Sequence, residues 1–194
     1  MNKTVIFFSL LAVSLFSAVS CSYREYAPAD YPETTIYQPL AVDGVLYIDT
    51  PTSDGTLSPT PGQPEQYSID EAARELVVNM GVVQAGVERK TFQVDIELDN
   101  SAVNEMILDG SLGPSTLPLP VSAFSFPSQV MMYEDATYTA FQLRVSLDTL
   151  LDPKYEGKML ATAVTVRSSA VEVNRELATV VICIDPEFLY DIVL

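Results

Sequence analysis

Thr91-Phe92-Gln93-Val94-Asp95-Ile96-Glu97-Leu98 alternates without a fault, apolar at even positions and polar at odd ones. A period of two puts every second side chain on one face, so this stretch predicts a strand with one face in a core and the other in water. Phe141-Gln142-Leu143-Arg144-Val145-Ser146-Leu147 repeats the pattern on odd positions. Working outward, Glu75 to Val83 and Lys158 to Val166 are rich in β-branched and apolar residues and predict two more strands. Leu46 to Asp49, Phe124-Ser125-Phe126 and Gln129 to Tyr133 are shorter candidates. Ala178 to Ile184 is apolar almost throughout, which predicts a central strand buried on both faces. Only Asn100 to Leu108 suggests a helix, capped by Ser101 or Asn100, with Val103, Met106 and Ile107 on one face. A second helical turn is expected near Asp148-Leu151. About seven short strands separated by turn signals, with one short helix, predict an all-β antiparallel sandwich.

The ends of the body are marked by composition. Ser22 to about Pro39 carries Tyr23, Tyr26, Tyr31 and Tyr37 among three prolines and shows little periodicity, so residues 21–39 read as a tether ahead of a single domain over 40–194. Pro51 to Pro64, with Ser53-Asp54-Gly55, Pro59, Pro61 and Gly62, reads as an exposed loop. Asp43-Gly44 and Asp54-Gly55 read as turns.

Residues 1–20 read as an address. Asn2-Lys3 gives a positive start, and Val5 to Phe16 is an apolar stretch broken only by Ser9 and Ser14. That suits a secretory signal and is short for a membrane span, which needs about 20 apolar residues. Ser17-Ala18-Val19-Ser20 then leads into Cys21, a loose form of the bacterial lipobox, with Ala18 where the strict form has Leu. The expectation is cleavage before Cys21 and acylation of its thiol and new amino group; the alternative is an ordinary signal peptide with an incidental cysteine. Each buried CH₂ contributes about 0.8 kcal/mol, so a multiply acylated Cys21 would hold the protein to a membrane durably. An outer-membrane location follows as an expectation. A single acid, Glu25, beside Arg24 leaves the cell surface and the periplasmic face both open.

Composition excludes several functions. The 194 residues include 26 acidic and 10 basic side chains, a formal charge of −16, which opposes binding to nucleic acid or to an anionic lipid surface. There is no His and no Trp. Without an imidazole, Ser-His and Cys-His dyads and His-based metal sites are absent. Cys183 sits in the apolar run Val180 to Ile184 and reads as a small buried hydrophobe, with no disulfide expected.

The order of elements carries a resemblance. The segment Leu98-Asp99-Asn100-Ser101 with Val103-Asn104, then Leu117-Pro118, Ser128-Gln129-Val130 and Val145-Ser146-Leu147-Asp148-Thr149-Leu150 resembles the Bacteroidota lipoprotein domain of unknown function 1735. Val164-Thr165-Val166-Arg167-Ser168-Ser169, Val173-Asn174 and Leu177-Ala178-Thr179-Val180-Val181 continue it, so that it spans about Ile36 to Asp185. The resemblance implies an immunoglobulin-like sandwich, of the kind found ahead of chitinase-like or carbohydrate-binding domains in glycan-utilisation systems. The chain differs in having Leu160-Ala161 where Leu-Pro is usual, Glu134-Asp135 where glycine is common, and its end at Leu194, which leads to the expectation of a non-catalytic role.

Chemistry is left to carboxylates, tyrosines and amides. Asp95, Glu97 and Asp99 form a row on one strand face. Paired carboxylates serve glycosidases, but a catalytic acid needs a raised pKa in a pocket, and an open strand face is solvated. The row reads as a solubilising face. No EF-hand spacing is present, and neither a metal nor another cofactor is expected. For a sugar, the best remaining platform is Tyr133 and Tyr138 bracketing Glu134-Asp135, with Arg144 further along, at the end of an expected hairpin. The leading expectation is therefore a lipid-anchored envelope protein that is not an enzyme and serves glycan capture or adhesion in a glycan-utilisation system, with a polysaccharide as partner. The alternative is a structural spacer or pilus-related subunit that binds an envelope protein.

Overall fold

The computed structural model describes residues 33–49 and 66–193. The signal-peptide stretch, Cys21, most of the tether and the turn-rich stretch 51–64 lie outside the described residues. The chain divides into units 1–31 and 32–194, and all the described residues belong to the second.

Two six-stranded sheets pack face to face, so the all-β sandwich stands. Among the described residues there are twelve strands and three helices rather than about seven strands and one helix. The first sheet runs in the order β11 (Glu172–Val173), β1 (Thr35–Tyr37), β4 (Glu75–Ala85), β9 (Tyr138–Ser146), β7 (Phe124–Ser125), with β3 (Tyr67–Asp70) also on β4. The second runs β2 (Val45–Ile48), β12 (Thr179–Ile184), β10 (Met159–Arg167), β5 (Phe92–Leu98), β8 (Gln129–Met132), with β6 (Thr116–Pro118) also on β10. The sheets are mixed rather than purely antiparallel, because β1–β11, β2–β12 and β6–β10 pair in parallel. The strands the sequence hides, β1, β3, β6 and β11, have four residues or fewer. Segments that short show too few repeats for period two to register. β1 also lies in the stretch that composition assigns to the tether.

The alternation that predicts β5 and β9 is realised. Phe92, Val94 and Ile96 face the core from β5, and Phe141, Leu143 and Val145 from β9. Leu76, Val78, Met80 and Val82 of β4 meet them between the sheets. β12 lies inside its sheet between β2 and β10 and is buried on both faces, as its apolar run predicts. Its outer face, with that of β10, is covered by α1 (Asn100–Leu108). There Val103 packs with Leu112 on Ala161, Ala163, Val181 and Cys183, and Met106 and Ile107 border the patch. The small side chains of β10 leave room for the helix. Asp99, not Ser101 or Asn100, caps α1, its side chain accepting from the Ala102 amide at 3.2 Å. α2 (Leu147–Leu150) is the expected second turn, capped by Ser146. α3 (Glu187–Val193) closes the chain and sends Phe188 and Leu189 into the core. Among the described residues no helix is long and apolar enough to cross a membrane.

Cys183 is buried and free. Burial pushes its thiol up from 9.0 to about 11, and a hydrogen bond with Thr116 offsets this only in part. Two outcomes follow. Cys183 should resist a thiol reagent at pH 8 in the native protein and react fully in denaturant. Because the folded thiol holds its proton longer than the unfolded one, its contribution is intact below pH 9.0 and falls away as pH rises through about 11. Leu143→Ala, which opens a cavity between the sheets, should lower stability by about 2–5 kcal/mol in urea unfolding.

Candidate functional site

Alternation on β4 and β9 builds an outer face opposite the core. The two strands are in register from Glu75 opposite Ser146 to Val83 opposite Tyr138. Tyr138, Ala140, Gln142 and Arg144 therefore share one face with Asn79, Gly81, Val83 and Glu75. At one end Tyr37 of β1 and Tyr138 flank Val83 in a single row. Tyr138 leans along β4 so that its ring lies across Gly81. A Cβ at Gly81 would stand 2.2 Å from Tyr138 Cζ. Its hydroxyl donates to the Met80 carbonyl at 3.2 Å, and the side chain remains 48% exposed. Burial of the lower ring face raises the phenol pKa above 10.0. The glycine thus gives the tyrosine a flat seat and leaves the upper ring face to solvent.

Six residues along β9, roughly 20 Å, Arg144 anchors the polar end. Its Nη1 reaches Glu75 Oε2 at 2.9 Å and Asp70 Oδ2 at 3.7 Å, and its Nη2 donates to Gln142 Oε1 at 2.9 Å. Gln142 Nε2 in turn donates to Asn79 Oδ1 at 3.2 Å. Three paired strands hold this chain of groups, from Asp70 on β3 through Glu75 and Asn79 on β4 to Gln142 and Arg144 on β9. Bonds to fixed neighbours limit the rotamers of Arg144 and hold its guanidinium in one place. Beside it, where β7 stops, an open cavity of about 370 Å³ is walled by Phe126 and Pro127 with Gln142 and Arg144. Phe126 is stacked on Phe124, with ring centroids 6.1 Å apart.

The face offers an aromatic plane, an apolar pocket wall, amides and a guanidinium with spare donors. An apolar surface carrying a few fixed polar groups is the general make-up of a small-molecule or oligomer site. Of the three residues picked from sequence, Tyr138 and Arg144 stand on this face. Tyr133 is 55% exposed on the turn after β8, so it belongs to the join between the sheets. The expected hairpin is not formed. β8 pairs with β5 and β9 with β4, and the turn crosses from one sheet to the other. Asn79, Gln142, Phe126 and Pro127 were missed, and Tyr37, read among the tether tyrosines, belongs to β1. Gln142 was readable, since it lies between Ala140 and Arg144 on the same parity; Phe126 and Pro127 join only through the short β7.

The carboxylate row has other work. Asp95 accepts from Gln93 at 2.7 Å, Glu97 pairs with Arg167 at 2.6 Å, and Asp99 caps α1. Among the described residues no three His, Cys, Asp or Glu gather in a group able to hold a metal ion.

No family model matches the chain, and no curated protein does. Solved structures do. A provisionally designated carbohydrate binding protein from Bacteroides ovatus ATCC 8483 is similar at 11% identity over 77% of this chain and 36% of its own, with a TM-score of 0.53. A two-domain protein of unknown function from Bacteroides fragilis NCTC 9343 is similar at 7% identity over 95% of this chain and 50% of its own, with a TM-score of 0.52. A multidomain Bacteroides ovatus protein including domain of unknown function 1735 aligns at 11% identity over 78% of this chain and 43% of its own, TM-score 0.47. The chain thus spans about a third to a half of these structures. At such identities the likeness to the first two shows the fold alone.

Gly81→Ala tests the seat. It should lift the Tyr138 ring, break the bond to the Met80 carbonyl and bring the phenol pKa back toward 10.0, read by NMR titration of the Tyr138 ring carbon. An unchanged titration would mean that the ring does not rest on Gly81 in solution.

Proposed function

We propose that this protein is a non-catalytic, lipid-anchored component of the bacterial cell envelope that captures a glycan on the outer face of its first sheet. The observation that carries the reading is the run on β9 from Tyr138, half exposed on its glycine seat, to Arg144 at the mouth of the Phe126–Pro127 cavity. A pyranose presents an apolar C–H face and a rim of hydroxyls. The first suits an aromatic plane or a proline, and the second suits fixed amide and guanidinium donors. The fold shared with a provisionally designated carbohydrate binding protein supports the reading without locating a site.

The anchor and the family extend this proposal. Acylation of Cys21 at the outer membrane is the function of residues 1–21 in this reading, and domain of unknown function 1735 is the family to which we assign the chain. Absence of catalysis is supported by the engagement of Asp95, Glu97 and Asp99 in structural bonds.

Purified protein should bind one class in a panel of host and plant polysaccharides. Tyr138→Ala and Arg144→Gln should each weaken that binding by about tenfold, the usual scale for losing a stacking or charge-assisted contact. Tyr133→Ala, on the adjoining turn, measures how far the site extends. Saturable binding indifferent to all three variants would move the site elsewhere. No binding on the panel would turn the search to an envelope protein partner.

A further inference from the structure

A second concavity lies at the margin where the second sheet meets β11 of the first. Where β10 ends and β12 begins, the chain leaves an open groove of about 570 Å³. Arg167 and Ser168 border it from the end of β10, Glu172 from β11, Arg175 from the turn that follows, Thr179 from β12, and Asp99 from the cap of α1. Val171 and Val173 add apolar wall.

The polar groups here are not matched to one another. Among the described residues Arg175 and Glu172 have no side-chain partner. Arg167 uses Nε for Glu97, leaving its two terminal nitrogens, and Asp99 uses Oδ1 for Ser101 and the Ala102 amide, leaving Oδ2. Thr179 and Thr165 join hydroxyls at 2.9 Å along one side. Guanidinium groups only donate and carboxylates only accept. A ligand that satisfies both must donate and accept over a short span. An anion meets Asp99 and Glu172 in the groove and a formal chain charge of −16; a cation meets two arginines. Neighbouring hydroxyls on an uncharged ring meet neither obstacle.

We infer that this groove is a second saccharide subsite, selective for a neutral, hydroxyl-rich sugar, with Arg175 and Arg167 as donors and Glu172 and Asp99 as acceptors. It rests on the glycan-capture reading and adds a contact region separate from Tyr138 and Arg144. On the first face an aromatic plane leads the binding. In the groove, which has no aromatic wall, hydrogen bonds do.

The test uses the full chain in a detergent without a sugar headgroup, titrated calorimetrically with maltoheptaose, xylohexaose, mannohexaose and chitohexaose, and with oligogalacturonate as the anionic comparator. The neutral oligosaccharide that binds should lose about tenfold in affinity in both Arg175→Ala and Glu172→Gln, as expected for bonds to charged groups. Should Arg175→Ala lower the melting temperature, Glu172→Gln, an isosteric exchange on an exposed side chain, decides alone. Binding weakened by Tyr138→Ala but changed less than roughly twofold by the groove variants would overturn the groove and leave glycan capture standing. Binding of oligogalacturonate alone would overturn the neutral class. If no saccharide on this panel binds, both the subsite and the glycan reading fall.

Discussion

The register between β4 and β9 is the constraint on which the rest depends. Nine consecutive residue pairs, from Glu75–Ser146 to Val83–Tyr138, fix which side chains face inward and which face out. A slip of β9 by one residue would send Phe141, Leu143 and Val145 to water and bring Gln142 and Arg144 into the core. The burial of Leu76, Val78, Met80 and Val82 against Phe141, Leu143 and Val145 opposes that slip. The same burial therefore places the outer row of Tyr138, Gln142 and Arg144. Core packing and site geometry are two faces of one pairing.

The second sheet solves a different problem. β10 and β12 are apolar on both sides, and a sheet with water on one face would leave Val181, Cys183 and Ala163 exposed. α1 removes that exposure, and Asp99 satisfies an amide at its first turn. The parallel partners β2 and β6 extend β12 and β10 with strands distant in sequence. As a result this sheet has its outer face filled over much of its middle, whereas among the described residues the first sheet keeps Tyr138 and Gln142 exposed on its outer face. That asymmetry is why the proposed contact surface lies on the first sheet. It leaves the margin of the second, where α1 begins and the β10–β12 connection turns, as the other open place.

Charge follows the same division. With 26 acids and 10 bases, the protein has few cations to place. Arg144 is held by Glu75 and Asp70 and Arg167 by Glu97, so each guanidinium sits beside carboxylates that orient it while other nitrogens remain available. Exposed ion pairs of this sort contribute little stability, on the order of 0–1 kcal/mol. Their effect is on position. A donor fixed in direction suits recognition of a hydroxyl better than a freely rotating lysine.

Much of the fold was legible. Period two in Phe92–Leu98 and Phe141–Leu147, the doubly apolar run ending at Ile184 and the helix after Leu98 are each written in local order, because burial on one face or two leaves its period in the chain. The lack of imidazole and indole likewise restricts chemistry whatever the fold. What the sequence by itself determined, then, was the class of element at each long segment, the all-β character and the residue types left for binding. Tertiary structure alone decided the neighbours. It put Asn79 beside Gln142 and Glu75 beside Arg144 across separations of 63 and 69 residues. It seated Tyr138 on Gly81, and it carried the chain from β8 into the other sheet where a hairpin was expected. Strand pairing is a long-range choice, made by the fit of whole faces, and a local pattern records which face a residue takes but not which strand will lie beside it.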